Sequence, residues 1–308
     1  MNLSGSVRNW LRRRIWPDLM IAAVLLTQTI GLTGVPAFAD DLFDSGKLLA
    51  TAGGSEVEGA GGGGLASWAL ITGYGTRDGI GANAHYSAAV LPDYSMQTAG
   101  LAVGLFDRLE LSYAWQGFNT QDVGAALGLG KGFVFHQNVY GAKLKLIGDA
   151  IYAQDSWLPQ ISLGLQHKEN DRSAVIAADG GKGSVGTDFY LAASKLFLAE
   201  STLVNFTLRE TKANQFGILG FGGDKHDDYS TQFEGSVAYL FSRRFVAGAE
   251  LRTKPSNLSI AHEDAAWDLF AAYFLDKNLS LTVAYVDLGN IVIKDDQHGA
   301  YLSLQAGL

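Results

Sequence analysis

Residues 233–252 read FEGSVAYLFSRRFVAGAELR, and their side chains alternate between apolar types and polar or small ones. Phe233, Val237 and Tyr239 share one phase of the alternation, and a turn at Ser242-Arg243 separates two runs of it. A period of two residues is that of a β-strand and not of a helix. The stretch therefore predicts a β-hairpin with one apolar face.

The same alternation recurs along the chain in segments separated by turn residues, which is the pattern of a transmembrane β-barrel. Tyr, Trp and Phe lie near the ends of the apolar faces, as expected at the two membrane interfaces. A soluble β-sandwich or lipocalin-like barrel would explain the alternation, but not this aromatic placement together with an export signal. We therefore predict an all-β, antiparallel transmembrane β-barrel. Further alternating segments are 109–116, 140–146, 161–165, 204–208, 267–275, 279–285 and 299–308.

Composition narrows the chemistry. The chain has 308 residues, 38 Gly, 5 Pro and no Cys, and 18% of its residues are charged. The lack of Cys excludes disulfides, thiolate zinc sites and cysteine nucleophiles. The formal charge of −8 makes binding of nucleic acid through a general electrostatic field unfavourable.

The N-terminus has the features of a signal peptide, which we predict to be residues 1–39. Arg8 and Arg12 to Arg14 precede an apolar run at 19–35, and Ala37 and Ala39 supply the small residues of a cleavage site. A retained membrane anchor is the alternative, but it would want about 20 apolar residues. Cleavage removes four Arg and one Asp, so the net charge would change from −8 to −11. In a Gram-negative cell such a signal leads to the periplasm or the outer membrane.

Short and long connections alternate along residues 40–308, except that the connection at 91–93 is short where a long one is expected. We predict one barrel domain with short periplasmic turns and longer outer loops. Counting back from a periplasmic C-terminus gives about fourteen strands if residues 47–51 form the first strand. It gives about twelve if the Gly-rich stretch 40–64 folds into the lumen. The glycines Gly61 to Gly64 belong either to a first outer loop, 51–64, or to a segment folded against the interior of the barrel. In the second case Glu56 and Glu58 would face the lumen.

Two blocks resemble a family of uncharacterised secreted bacterial proteins, domain-of-unknown-function family 3034. The first is GKLLATAGGSEVEGAGGGGL at 46–65, continued by WALI at 68–71 and GYGT at 73–76, and the second is AVGLFDRLELS at 102–112. The resemblance covers essentially the whole predicted mature chain. It implies an outer-membrane β-barrel of Gram-negative bacteria, and it supplies no activity or catalytic residues.

The phase opposite the apolar one carries charges of both signs, which we predict to line the lumen. A balanced set suits either a transverse field across a water-filled pore or salt bridges that close a narrow interior. The sequence therefore does not decide between a water-filled pore and a closed interior. The predicted lumen-lining residues are Glu110, Lys143, Lys145, Arg209, Glu234, Glu250, Arg252 and Asp268.

Other candidate chemistry is weaker. Histidines lie beside acids in three predicted outer loops, where they could hold a divalent cation or form solvated acidic loops. The candidates are His226, Asp228, His262, Asp264, Asp296 and His298. Neither Gly61 to Gly64 nor Gly130-Lys131-Gly132 has the Gly-Lys-Ser/Thr of a phosphate loop, so we predict no nucleotide or other cofactor.

The function that these patterns favour is an outer-membrane channel or transporter for small polar solutes. A closed barrel with a structural or surface-interaction role is the alternative. A membrane-embedded hydrolase using His136 or His167 comes third, and we predict no enzyme. Expected partners are outer-membrane lipid, lipopolysaccharide and the outer-membrane assembly machinery. The final strand resembles the C-terminal signal of that machinery, although it ends in Leu308 where Phe or Trp is usual.

Overall fold

Twelve antiparallel strands form a closed barrel, in which strands that are consecutive in sequence pair and the last pairs with the first. The computed structural model describes residues 46–52 and 54–308, so the predicted signal peptide lies outside the described residues. In chain order the strands are β1 (Gly54–Ser55), β2 (Gly61–Gly62), β3 (Ile80–Val90), β4 (Ser95–Leu105), β5 (Leu109–Asn119), β6 (Val134–Ile147), β7 (Gln160–Asn170), β8 (Val185–Phe197), β9 (Thr202–Thr211), β10 (Ser230–Ser242), β11 (Phe245–Arg252), β12 (Ala266–Phe274), β13 (Leu279–Asp287) and β14 (His298–Gly307). Strands β1 and β2 pair only with each other, and β3 to β14 form the barrel.

The apolar phase of the barrel strands points outward. Leu101, Leu163, Val237 and Leu269 are each about half exposed, as are many other large apolar side chains of this phase. An outward belt of this kind is what a β-barrel presents to lipid. In the opposite phase, charged residues such as Glu234 are buried. The predicted all-β, antiparallel transmembrane barrel is therefore confirmed, and the soluble alternatives, which need an apolar interior, are wrong.

The connections differ at the two ends of the barrel. At one end, which we call the short-turn end, the connections are 106–108, 148–159, 198–201, 243–244 and 275–278. At the other, the long-loop end, they are 91–94, 120–133, 171–184, 212–229, 253–265 and 288–297. These loops contain the helices α1 (Val123–Ala126) and α2 (Ser173–Ala178) and a 3-10 turn (Asn214–Gly217). Among the described residues, no helix is both long and apolar enough to cross a membrane.

All six connections of the long-loop end, the short one at 91–94 included, contribute to one apolar cluster, which we call the loop cap. Its loop residues are Leu91, Tyr94, Val123, Ile176, Ile218, Leu219, Leu258, Ala261, Leu288 and Ile291, and all are buried. Apolar side chains of the strand ends, such as Phe118 and Phe135, pack into the same cluster. The long-loop end of the barrel is therefore covered by a packed apolar layer.

The described part of the chain from residue 46 to residue 76 lies inside the barrel. We call residues 46–52 and 54–76 the N-terminal segment. Lys47 N–H donates to Tyr74 O over 3.2 Å, and Tyr74 N–H donates to Leu308 O over 2.7 Å, so the segment begins and ends at the short-turn end. Its middle reaches the loop cap, because Val57 and Leu65 belong to that cluster. Residues 47–51 form no strand, so the count of about fourteen was wrong and that of about twelve was right. The reading of 51–64 as an outer loop was wrong as well, since the described part of this stretch packs against interior strand residues.

Candidate functional site: the barrel interior

All eight residues predicted to line the lumen lie in the interior phase of the barrel and are buried. Glu110 is on β5, Lys143 and Lys145 are on β6, and Arg209 is on β9. The other four lie on β10, β11 and β12, where register pairs Glu234 with Arg252 and Glu250 with Asp268. Seven of the eight contact the N-terminal segment or each other, and Lys145 instead pairs with Asp107 of a short turn over 2.6 Å.

Glu110 and Lys143 bind two separate parts of the N-terminal segment. The Glu110 carboxylate accepts from Gly61 N–H over 2.8 Å and from Thr72 N–H over 2.9 Å. Lys143 Nζ donates to Gly61 O over 2.8 Å and to Leu70 O over 2.9 Å. The two side chains also form an ion pair of 3.0 Å with each other. Both charges are thus compensated without solvent.

Glu250 and Glu234 accept hydrogen bonds from backbone N–H groups of the N-terminal segment between residues 64 and 67. Glu250 Oε2 accepts from the N–H groups of Gly64 and Leu65 over 2.6 and 2.7 Å, and Glu234 Oε2 accepts from Ser67 N–H over 2.8 Å. A Cβ at Gly63 would lie 1.8 Å from Glu250 Oε1, so a side chain there would exclude the carboxylate. The glycine run therefore permits a close approach of backbone to wall.

A network of charges surrounds Glu58 of the segment. Glu58 pairs with Lys168 of β7 and accepts from Arg252 Nη1 over 2.7 Å. Lys168 also pairs with Asp188 of β8 over 2.7 Å, and Arg209 pairs with Glu234. All of these side chains are buried. Buried charges persist only when they are paired and hydrogen-bonded, which this network achieves.

Asp268 differs from the other interior acids. It lies beside Glu250 across the β11–β12 pair, and its Oδ1 is buried without a hydrogen-bond partner. A cavity of about 70 Å³ adjoins this region, lined in part by Gly64, Trp68 and Tyr301. A second cavity, of about 20 Å³, lies at the short-turn end beside Tyr74.

Sequence reasoning missed two of the charged residues, Lys168 and Asp188. A signal for both was available. Lys168 is in phase with Gln166 and Ser162, and Asp188 is in phase with Tyr190 and Ala192, all buried on the interior face. The alternating segments named from the sequence end at Leu165 on β7 and include none on β8, so neither residue was predicted.

The loop cap contains one buried ion pair. Lys254 Nζ lies 3.1 Å from Glu263 Oε2 and donates to Leu288 O over 2.7 Å. Burial raises the pKa of Glu263 and lowers the pKa of Lys254 relative to their ordinary values. Gln215 donates to Glu263 and so ties the 3-10 turn to the same loop.

The candidate metal residues lie at the long-loop end but are not brought together. His262 Nε2 lies 3.6 Å from Asp264 Oδ1, while His226, Asp228, Asp296 and His298 are in other connections or at a strand end. Across residues 46–52 and 54–308, no group of three or more His, Cys, Asp or Glu is placed to hold a metal ion.

The candidate hydrolase histidines lie on the outward phase near the long-loop end. His136 pairs with Asp171 over 3.0 Å and stacks on Trp115, and His167 Nδ1 lies 2.9 Å from Thr187 Oγ1. A serine nucleophile would have to lie within hydrogen-bond reach of one of these histidines, but Ser162, a serine of the polar phase, faces the interior, where its hydroxyl donates to Ala69 O over 2.6 Å. The structure thus separates this serine from both histidines.

The fold and the occupied interior define a class: a closed transmembrane β-barrel with its own N-terminal segment inside. Within it, the chain belongs to the family described as Protein of unknown function (DUF3034), whose profile matches residues 51–305. No curated protein matches the sequence.

Several solved structures are similar in fold. The KdgM porin is 12% identical, with a TM-score of 0.47, and the match covers 73% of this chain and 98% of that one. The NanC porin is 12% identical, with a TM-score of 0.42, and the match covers 74% of this chain and 97% of that one. The outer membrane phospholipase A from Escherichia coli is 11% identical, with a TM-score of 0.40, and the match covers 77% of this chain and 94% of that one.

Proposed function

We propose that the protein is an outer-membrane channel for small polar solutes, closed at rest by its N-terminal segment together with the loop cap, into which Val57 and Leu65 of the segment pack. Residues 1–39 would be removed on export, and the barrel would be inserted by the outer-membrane assembly machinery among lipid and lipopolysaccharide. The observation that carries the proposal is the way the segment is held. Interior side chains of the wall bind its backbone, as Glu110, Lys143 and Glu250 do.

Such contacts suit a reversible plug. A backbone N–H or C=O that leaves a charged wall side chain gains a hydrogen bond to water, so the net cost is about 1.5–3 kcal/mol for each bond. The wall left behind would be lined by the mixed charges, including Glu110, Lys143, Arg209 and Glu234. A lumen of this character is wetted and passes polar solutes.

The path of the segment supports withdrawal from one end. Lys47 and Tyr74 are bonded to each other at the short-turn end, and the chain between them runs up to the loop cap and back. A segment that enters and leaves through the same end can retract without threading through the barrel. Retraction would be toward the periplasm, where short turns of such barrels lie.

A disulfide lock tests this proposal. A Cβ placed on Gly59 lies 3.0 Å from the Ala114 Cβ, so a shift of about 0.5–1 Å brings the pair into the range of about 3.5–4.5 Å that a disulfide spans, and the chain has no native Cys. We expect Gly59→Cys/Ala114→Cys to give ion-conducting steps in planar bilayers when reduced, and none when oxidised. Gly59 has a φ of +94°, so a Cys there strains the backbone. The reduced and oxidised forms carry the same substitution, so a difference between them reports the disulfide and not this strain. Equal conductance in both redox states would rule out the segment as the gate.

The loop cap favours a second candidate, a closed barrel with a structural or surface-interaction role. All six connections of the long-loop end share one apolar cluster, and such burial stabilises a fixed cover. Insulation by the wild type and by the reduced cysteine variant, across voltages and in moderate urea, would support this candidate over the channel.

A further inference from the structure

The basic residues around Glu58 are not balanced by the wall alone. Lys168, Arg209 and Arg252 meet only two wall acids in ion pairs, Asp188 and Glu234. The third carboxylate, Glu58, comes from the N-terminal segment. All six side chains are buried, so retraction of the segment would leave the wall with one uncompensated positive charge at this level.

The geometry of Glu58 is that of a bound carboxylate ligand. One oxygen pairs with Lys168 Nζ, and the other accepts from Arg252 Nη1 over 2.7 Å. The two cations are themselves held in place: Lys168 donates to Phe216 O over 3.2 Å, and the Arg252 guanidinium lies 4.4 Å from the centre of the Phe216 ring. Besides Glu58, each cation also pairs with a carboxylate of the wall: Lys168 with Asp188, and Arg252 with Glu234. Such charge-assisted hydrogen bonds are the strong ones in proteins.

We propose that Lys168 and Arg252 form a binding site for the carboxylate group of a small acidic solute, and that Glu58 occupies this site at rest. The inference rests on the proposed function, because a solute reaches the site only after the segment has moved. An acidic solute would then compete with Glu58 for the same two cations. A neutral solute of equal size would lack this competition.

Glu56 provides a matched control within the same segment. It is as buried as Glu58, but Ser67 Oγ and Gln166 Nε2 donate to it, and no described Lys, Arg or His lies within ion-pair distance of it. Truncation of Glu56 therefore removes a buried carboxylate without breaking an ion pair of Lys168 or Arg252.

Chemical rescue tests the site. Glu58→Ala removes the carboxylate and leaves room beside Lys168 and Arg252, so we expect a fall of several degrees in the midpoint of thermal unfolding of the purified full-length barrel. Acetate or propionate, present during refolding and throughout the melt so that it can enter before the segment closes, should restore most of that fall, and acetamide or chloride at the same concentration should not. Glu56→Ala should show no difference between acetate and acetamide. Equal rescue by acetate and acetamide, or none by either, would overturn the proposal.

If Glu58→Ala fails to fold in chloride, the readout becomes its refolding yield in acetate against that in acetamide, and equal yields overturn the proposal. Because rescue is measured without conductance, the two proposals fail separately. Rescue by acetate in a protein that never conducts would refute the channel and retain the site. Conductance without selective rescue would do the reverse.

Discussion

The N-terminal segment and the loop cap both close the barrel, but the balance of their contacts differs. Charged and polar wall side chains such as Glu250 and Lys143 bind the backbone of the segment, and apolar contacts of Trp68 with the wall and of Val57 with the cap add to them. The cap is held by apolar side chains such as Leu258 and Ile291. Water can replace the hydrogen bonds to the wall but not the apolar contacts. The two closures should therefore respond to different perturbations, and the part of the segment that is bound by the wall is the part suited to move.

The largest effect is expected from removing one charge at the segment. Lys143→Met leaves Glu110 as a buried carboxylate without its cation, which we expect to destabilise the barrel by about 4 kcal/mol. Tryptophan fluorescence during urea unfolding measures the change.

The matched control for that variant is the double change Lys143→Met/Glu110→Gln. It removes both charges and should recover most of the lost stability, since no buried charge is left unpaired. If the single and double variants were equally unstable, the pair would act through packing and not through charge, and the contrast between the two closures would break down.

A smaller effect is expected from truncating the cap. Leu258 is 1% exposed, so Leu258→Ala should cost about 3 kcal/mol through lost burial and the cavity left behind. Hydrogen exchange of the segment amides at 67–72 should stay unchanged, because this stretch has no residue in the cap cluster and its wall contacts are intact. Leu48→Ala, at a position that is 52% exposed, is the control and should have almost no effect. Faster exchange at 67–72 in Leu258→Ala alone would mean that the two closures are one cooperative unit.

The smallest effect concerns the outer face of the wall, which neither closure touches. Val283 lies mid-strand on β13 and is 48% exposed, so Val283→Arg should oppose insertion into bilayers by about 2–3 kcal/mol. Thr282 is the neighbour on the inner face, and Thr282→Arg should insert normally. It should nevertheless crowd the segment, because Thr282 lines the cavity of about 70 Å³. Equal insertion of the two variants would contradict the assignment of faces.

The strand pattern could be predicted because it is local. Alternation alone assigns Glu234 and Val237 to opposite faces, and the structure agrees. The same rule, extended to β7 and β8, would have found Lys168 and Asp188. The contact of Lys168 with Glu58 could not be predicted from alternation, because the two residues lie 110 positions apart and the local sequence around one gives no information about the other.

The sequence by itself determined the all-β class, the outward apolar belt and the inward charges, because a period of two fixes which face each side chain takes. It left open whether the balanced charges line a pore or bind a plug, and whether the glycines form a loop or an interior segment. Only the tertiary structure decided these points. Pairing of buried charges and the approach of Gly63 to Glu250 depend on distances between parts of the chain that only barrel closure brings together.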